Sequence, residues 1–226
     1  MVNELGATPP SSFSFRAPQL TASFITAHTN HIWSIAVTPK SLLTASGASV
    51  LKVFDTTNQS FSESQAIVDA HRSGCHHICT SADSKVAASA AFDGEIKIWH
   101  MGETSGQWVL HTTIENDAAK GVSMWAIALN AAGQYLVATT TDGKVAVWDV
   151  VTKDTPPKMI RYYETGSAGN GTLGMAVDLS KDGLWTASGH QNGTVYVFNN
   201  QTTRLVYSLT GKYCPICLFF LIFGSY

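Results

Sequence analysis

One ending recurs four times along this chain: a short β-branched run that closes on an aromatic residue. The copies are Leu51-Lys52-Val53-Phe54-Asp55, Ile96-Lys97-Ile98-Trp99-His100, Val145-Ala146-Val147-Trp148-Asp149 and Val195-Tyr196-Val197-Phe198-Asn199. They follow one another at about 45 to 50 residues, near the period of a four-stranded propeller blade. Three are preceded by a tight-turn signal, Phe92-Asp93-Gly94, Thr141-Asp142-Gly143 and Gln191-Asn192-Gly193, in which glycine accepts the positive φ of a hairpin turn. The first, Gly47-Ala48-Ser49, is degenerate. Small-residue strands precede the turns at 42–46, 86–90 and 136–140, and innermost strands precede those at 33–37, 76–79, 125–129 and 174–179. Blades stack face to face, so both faces of each strand are apolar or small and strict alternation is weak. Outer strands follow at 65–68, 108–114, 158–163 and 205–209, which completes four blades.

Bulk properties agree with many short buried strands. Of 226 residues, 45% are hydrophobic and only 13% charged, enough apolar material for a core and little for salt-bridged helices. The formal charge of −2 gives no surplus to attract nucleic acid or an anionic membrane over the whole surface. The N-terminus has no basic start leading into an apolar run, so no secretory signal is read. Cys75, Cys79, Cys214 and Cys217 form two close pairs, which suits thiols in a reducing compartment better than a disulfide framework. The longest apolar run, around 216–223, is far short of the roughly 20 residues that span a bilayer.

Four groups of residues invite a chemical reading. His71, Ser89 and Asp93 offer the residue types of a hydrolase triad, although a triad also needs an exposed nucleophile and an oxyanion hole. Gly169-Asn170-Gly171-Thr172-Leu173-Gly174 matches the dinucleotide fingerprint G-x-G-x-x-G, but a strand pattern follows where a helix is required. Cys75-His76-His77-Ile78-Cys79 contains four zinc-ligand types. A regular strand would put Cys75, His77 and Cys79 on one face, too few and too close for a tetrahedral site of their own. Cys214-Pro215-Ile216-Cys217 has knuckle spacing without a second half. The aromatics Trp33, Trp108, Trp125, Trp185, Tyr162 and Tyr163 read as blade core, with no basic run interleaved as base stacking would need. These readings lead to expectations of no catalytic residue, no cofactor, no metal and no direct nucleic-acid or membrane binding.

Several segments together resemble the WD-repeat family, and within it the WD-repeat subunit of the fungal superkiller (Ski) complex, which is also a meiotic recombination WD-repeat protein. The residues are Ala27-His28 with Leu51-Lys52-Val53, His71-Arg72-Ser73-Gly74 with His76-His77, Ser123 with Trp125-Ala126, Val137-Ala138-Thr139, and Asp178 with Asn192-Gly193-Thr194-Val195. The resemblance implies that His71, Ser89, Asp93 and Trp99 form a structural hydrogen-bond tetrad rather than a catalytic one. Other repeats keep parts of it: His28 alone, Asp142 with Trp148, and Ser188 with Asn192. It also implies a scaffold that docks on a tetratricopeptide-repeat subunit and helps to organise an RNA helicase for exosome-dependent 3′-to-5′ mRNA decay. The same subunit is associated with meiotic double-strand-break formation. The expected localisation is therefore cytoplasmic and nuclear.

The expected fold class is all-β, an incomplete WD-repeat β-propeller with four blades of an expected seven. Residues 1–19 read as a flexible extension, 20–211 as the repeats and 212–226 as a tail that matches no repeat. In closed members of the family an N-terminal strand, here 20–26, supplies the outer edge of the last blade. The tail is read as translation of a retained intron, since Gly211-Lys212-Tyr213 can be encoded by GGT AAG TAT, against the rival reading of a hydrophobic hook. The expected function is non-catalytic protein–protein scaffolding. The alternatives are an adaptor of another nuclear or cytoplasmic complex, or a hydrolase using His71, Ser89 and Asp93.

Overall fold

The computed structural model describes residues 27–115, 123–151, 156–165 and 172–211. The expected strand at 20–26 and the tail at 212–226 lie outside them. The described residues form sixteen strands and no helix, in four antiparallel four-stranded sheets, each running in chain order from inside to outside. Blade one is β1 (Ile32–Val37), β2 (Ser41–Ser46), β3 (Leu51–Asp55) and β4 (Glu63–Ile67). Blade two is β5 (Cys75–Thr80), β6 (Val86–Ala91), β7 (Ile96–Met101) and β8 (Trp108–Ile114). Blade three is β9 (Met124–Leu129), β10 (Tyr135–Thr140), β11 (Val145–Asp149) and β12 (Lys158–Tyr163). Blade four is β13 (Gly174–Leu179), β14 (Trp185–His190), β15 (Thr194–Asn199) and β16 (Arg204–Thr210).

The blades pack through three seams of interdigitated apolar side chains. Between blades one and two, Ala36, Leu43, Ala45, Leu51 and Val53 meet Cys75, Ile78, Ala87, Trp99 and Trp108. Between blades two and three, Ala88, Ala90, Ile96 and Ile98 meet Met124, Ile127, Leu136 and Trp148. Between blades three and four, Ala126, Val137, Val145 and Val147 meet Val177, Leu179, Tyr196 and Phe198. Side chains such as Ile96, Ile98, Ile127 and Leu136 are fully buried there, and burial of each contributes about 1.5–3 kcal/mol. Alanines on the second strands let neighbouring sheets approach closely; Ala45, Ala87, Ala88, Ala138 and Ala187 have no exposed surface.

Two bulges recur in the blades, and neither follows from the repeat pattern. The first breaks every pairing of third and fourth strands at the aromatic closing the repeat, between Val53/Phe54, Ile98/Trp99, Val147/Trp148 and Val197/Phe198. Two outer strands differ from the expected bounds: β4 runs 63–67 instead of 65–68 and β16 runs 204–210 instead of 205–209. The second lies near the start of each inner strand. Trp33, His76 and Met175 are the unpaired residues in β1, β5 and β13, and the Trp125-Ala126 pair opposes the single Thr139 in blade three. A bulge re-aims the side chain it carries. It also corrects the expected grouping of Cys75, His77 and Cys79 on one face: the extra residue at His76 interrupts alternation. Cys75 therefore packs into the seam with blade one and Cys79 against the seam with blade three.

Candidate functional site: an aromatic rim on a hydrogen-bonded frame

In blade two His71, Ser89 and Trp99 are joined by hydrogen bonds, with Glu95, which the repeat pattern did not mark, on the far nitrogen of His71, where the expected tetrad would have Asp93. Ser89 Oγ lies 2.6 Å from His71 Nε2, and Trp99 Nε1–H donates to the same Oγ at 2.8 Å. His71 Nδ1 meets Glu95 Oε1 at 2.9 Å. His71 and Ser89 have no exposed surface, and burial pulls the imidazole down to about 4, partly countered by Glu95. The ring is therefore neutral, and one proton order satisfies every partner: Trp99 N–H to Ser89, Ser89 O–H to His71 Nε2, His71 Nδ1–H to Glu95. Asp93 secures the turn, where its Oδ2 accepts from Ser73 Oγ at 2.6 Å and its Oδ1 from the Glu95 N–H at 3.2 Å.

The direction of these bonds is also that of a serine-hydrolase triad, with Glu95 as the acid. The surroundings differ. Ser89 Oγ is enclosed, accepts a tryptophan N–H on one of its lone pairs, and sits in the seam with blade one.

Other blades rebuild the frame from different residues. In blade one His28 Nε2 meets Thr44 Oγ1 at 2.7 Å, with Phe54 in the tryptophan position. In blade three the serine position is Ala138, fully buried in the apolar seam. In blade four the histidine comes from the strand itself: His190 Nε2 lies 3.0 Å from Ser188 Oγ, and its Nδ1 meets the Thr172 carbonyl at 2.9 Å. The spacing Ser188-Gly189-His190 carried that signal, two residues apart on one face.

The blade-two frame fixes a rim. Phe92 stands in the turn between β6 and β7, and its N–H donates to the Gly74 carbonyl at 3.4 Å. Gly74 holds φ +76°, and an added Cβ would lie 2.5 Å from the Gly47 carbonyl oxygen, so only glycine fits this crossing into blade one. The inner-strand bulges open on the same rim. Trp33 meets Phe92 edge-on at 5.3 Å, Phe92 meets His76 at 5.1 Å, and His76 stacks on Trp125 at 4.4 Å. His76 also lies 2.9 Å through Nε2 from the Trp125 carbonyl. The row crosses three blades. Trp33 is 57% exposed and Phe92 36%; the exposure of Trp33 and of Tyr162 on the outer strand β12 corrects the reading of both as blade core, whereas Trp108 and Tyr163 are buried as expected. Trp33 shares this exposure with Ile32, Ile35 and Val37 of β1, a face of blade one that no described blade covers.

The remaining sequence candidates lie elsewhere or apart. Gly169 to Gly171 and the pair Cys214 and Cys217 are outside the described residues, and Gly174 opens a strand where a dinucleotide site needs a helix. Among the described residues no three His, Cys, Asp or Glu side chains group as a metal site would need. Burial pushes the thiols of Cys75 and Cys79 up to about 12.

Radial four-stranded sheets with a recurring His–Ser frame define a class, the propellers of repeated blades. The WD domain, G-beta repeat profile matches residues 62–100 and 109–149, each match taking the outer strand of one blade with three strands of the next. Over 190 residues the chain is 30% identical to meiotic recombination protein rec14 of Schizosaccharomyces pombe, covering 84% of this chain and 59% of rec14. Over 197 residues it is 26% identical to COMPASS component SWD3 of Saccharomyces cerevisiae, covering 82% of this chain and 60% of SWD3. Saccharomyces cerevisiae Sqt1 matches it in fold with a TM-score of 0.67 at 12% identity, over 81% of this chain and 49% of the Sqt1 chain. The chain carries WD repeats and spans about three fifths of the length of these two curated relatives.

Proposed function

We propose that this protein is a non-catalytic scaffold whose aromatic rim, exposed at Trp33 and Phe92 and backed by the buried His76 and half-buried Trp125, docks a protein partner. The observation that carries the reading is the exposure of Trp33 at the head of a row of rings locked in place by bulges and by the blade-two frame. Large rigid aromatics supply contact area at little conformational cost, and rims of rigid scaffolds are where binding residues collect. The enclosure of Ser89 supports framework over turnover.

The assembly we propose is the superkiller complex, with a tetratricopeptide-repeat subunit and an RNA helicase as partners in exosome-dependent mRNA decay, in the cytoplasm and nucleus. A role beside the meiotic break machinery accompanies it, supported by the similarity to rec14. A second reading, an adaptor of another nuclear or cytoplasmic complex, draws on the similarity to SWD3. Affinity purification of the tagged chain from its own cells, with identification of co-purifying subunits, tests this. Recovery of the helicase with the tetratricopeptide subunit supports the proposal; recovery of a histone-modifying complex without them refutes it in favour of the second reading.

A further inference from the structure

Each seam joins the forward face of one blade to the backward face of the next, and the same two positions help to seal it every time. On the backward face it is the inner-strand residue opposite the Ser89 position. Ile78, Ile127 and Val177 oppose Ser89, Ala138 and Ser188, and all three are buried in the seam with the blade before. On the forward face it is the outer-strand residue opposite the start of the recurring ending. Ile67, Ile114 and Tyr163 oppose Leu51, Ile96 and Val145, and they pack into the seam with the blade after.

The two ends of the array carry one half-seam of each kind. In blade one the backward position is Ile35, opposite Thr44, and it is 58% exposed, with the exposed Val37 two residues on along the same face. In blade four the forward position is Leu209, opposite Val195, and it is 55% exposed, with the exposed Tyr207 on the same face. At the middle of that face the buried Ala187 and Val195 cluster with the half-buried Ala176 and Val197. Polar groups interrupt each face, the Lys52–Glu63 ion pair on blade one and the half-buried Asp178 on blade four. Terminal repeats of an array need polar outer faces to stay apart, and these two are largely apolar.

The half-seams complement each other, not themselves, and a contact of that kind closes into a ring or runs on as a fibre. Area favours the ring. Four strands about 4.8 Å apart and about six residues long give a face of roughly 15 by 20 Å. One seam between two copies then covers on the order of 600 Å² in total, short of the roughly 1,200 Å² of the smallest stable complexes, whereas two seams formed at once reach it.

We propose that two copies of this chain pair head to tail, the forward face of blade four in each on the backward face of blade one in the other, closing a ring of eight blades. The contact goes beyond the rim reading. It depends on Ile35 and Leu209 rather than on the Phe92, His76 and Trp125 rings, so its failure leaves the rim's partner to be scored separately by co-purification.

The test is the mass of the full 226-residue chain, measured by light scattering after gel filtration at micromolar concentration. Twice the 24.2 kDa of one chain is expected. Ile35→Lys and Leu209→Lys each place a charge in both seams and should each weaken the pair at least roughly a hundredfold. Both positions are exposed in the single chain, so circular dichroism should stay that of the parent. Val109→Lys, exposed on the outer strand of blade two, should leave the pair intact. A parent chain that stays monomeric, its end faces covered by its own residues outside those described or left open, overturns the proposal. So does an open series of larger assemblies, or a pair that survives Leu209→Lys, which would join blade one to itself.

Discussion

Replacing Ser89 by alanine tests the frame at its centre. The hydroxyl is shared: Trp99 Nε1–H donates to it at 2.8 Å, and it faces His71 Nε2 at 2.6 Å. Its removal strands two buried polar groups that water cannot reach, each costing about 1–3 kcal/mol. The expected destabilisation is therefore about 2–5 kcal/mol, which for a chain of this length lowers Tm by about 5–15 °C. Urea unfolding followed by tryptophan fluorescence measures it. Ser188→Ala provides an internal scale, because there only His190 Nε2 loses its partner and the cost should be about half. Adding His71→Leu to Ser89→Ala should restore part of the loss, since blade three already carries alanine at that position within an apolar seam. A Ser89→Ala protein within about 0.5 kcal/mol of the parent would refute the reasoning, because surface-like neutrality is incompatible with two orphaned groups in the seam.

Three further outcomes follow from the same geometry. His71 and His77 sit near 4 in the folded state against an ordinary 6.5, so both fold as neutral rings. The unfolded chain gains protons first as pH falls. Stability should be full above about pH 6.5, decline through the window to about pH 4, and lose on the order of 3 kcal/mol from His71 alone, read from urea midpoints across that range. Gly74→Ala combines a strained φ with a clash against the Gly47 backbone and should cost about 3 kcal/mol or prevent folding, measured by thermal denaturation. Cys75 and Cys79, with thiols pushed up to about 12, should resist alkylation in the native protein and react once urea unfolds it; rapid native labelling of either would contradict their placement in the seams.

The blade pattern was legible because its cues are local. β3 and β11 run as the β-branched endings predict, β8, β12 and β13 match to the residue, and Gly94, Gly143 and Gly193 hold the positive φ their turns require. Parity was not legible. One extra residue at His76 sends Cys75 and Cys79 to different seams, and nothing in a run of cysteine and histidine marks where a bulge falls. Trp33 looked like core because the repeat pattern assumes a blade against each face; Ile32, Trp33, Ile35 and Val37 of β1 are all exposed where no described blade packs. Glu95 was missed because a charged residue after a turn reads as solvated, and only the fold brings it to His71.

The rim as a docking surface is the claim on which the functional account rests, and affinity for a purified partner subunit tests it most directly. Trp33→Ala/Phe92→Ala removes the two exposed rings of the row while leaving the hydrogen-bonded frame intact. Titration of this variant by calorimetry should show binding weakened by roughly a hundredfold, as expected when aromatic anchors are lost, with Tm within a few degrees of the parent. Undiminished affinity in a folded variant would contradict the account.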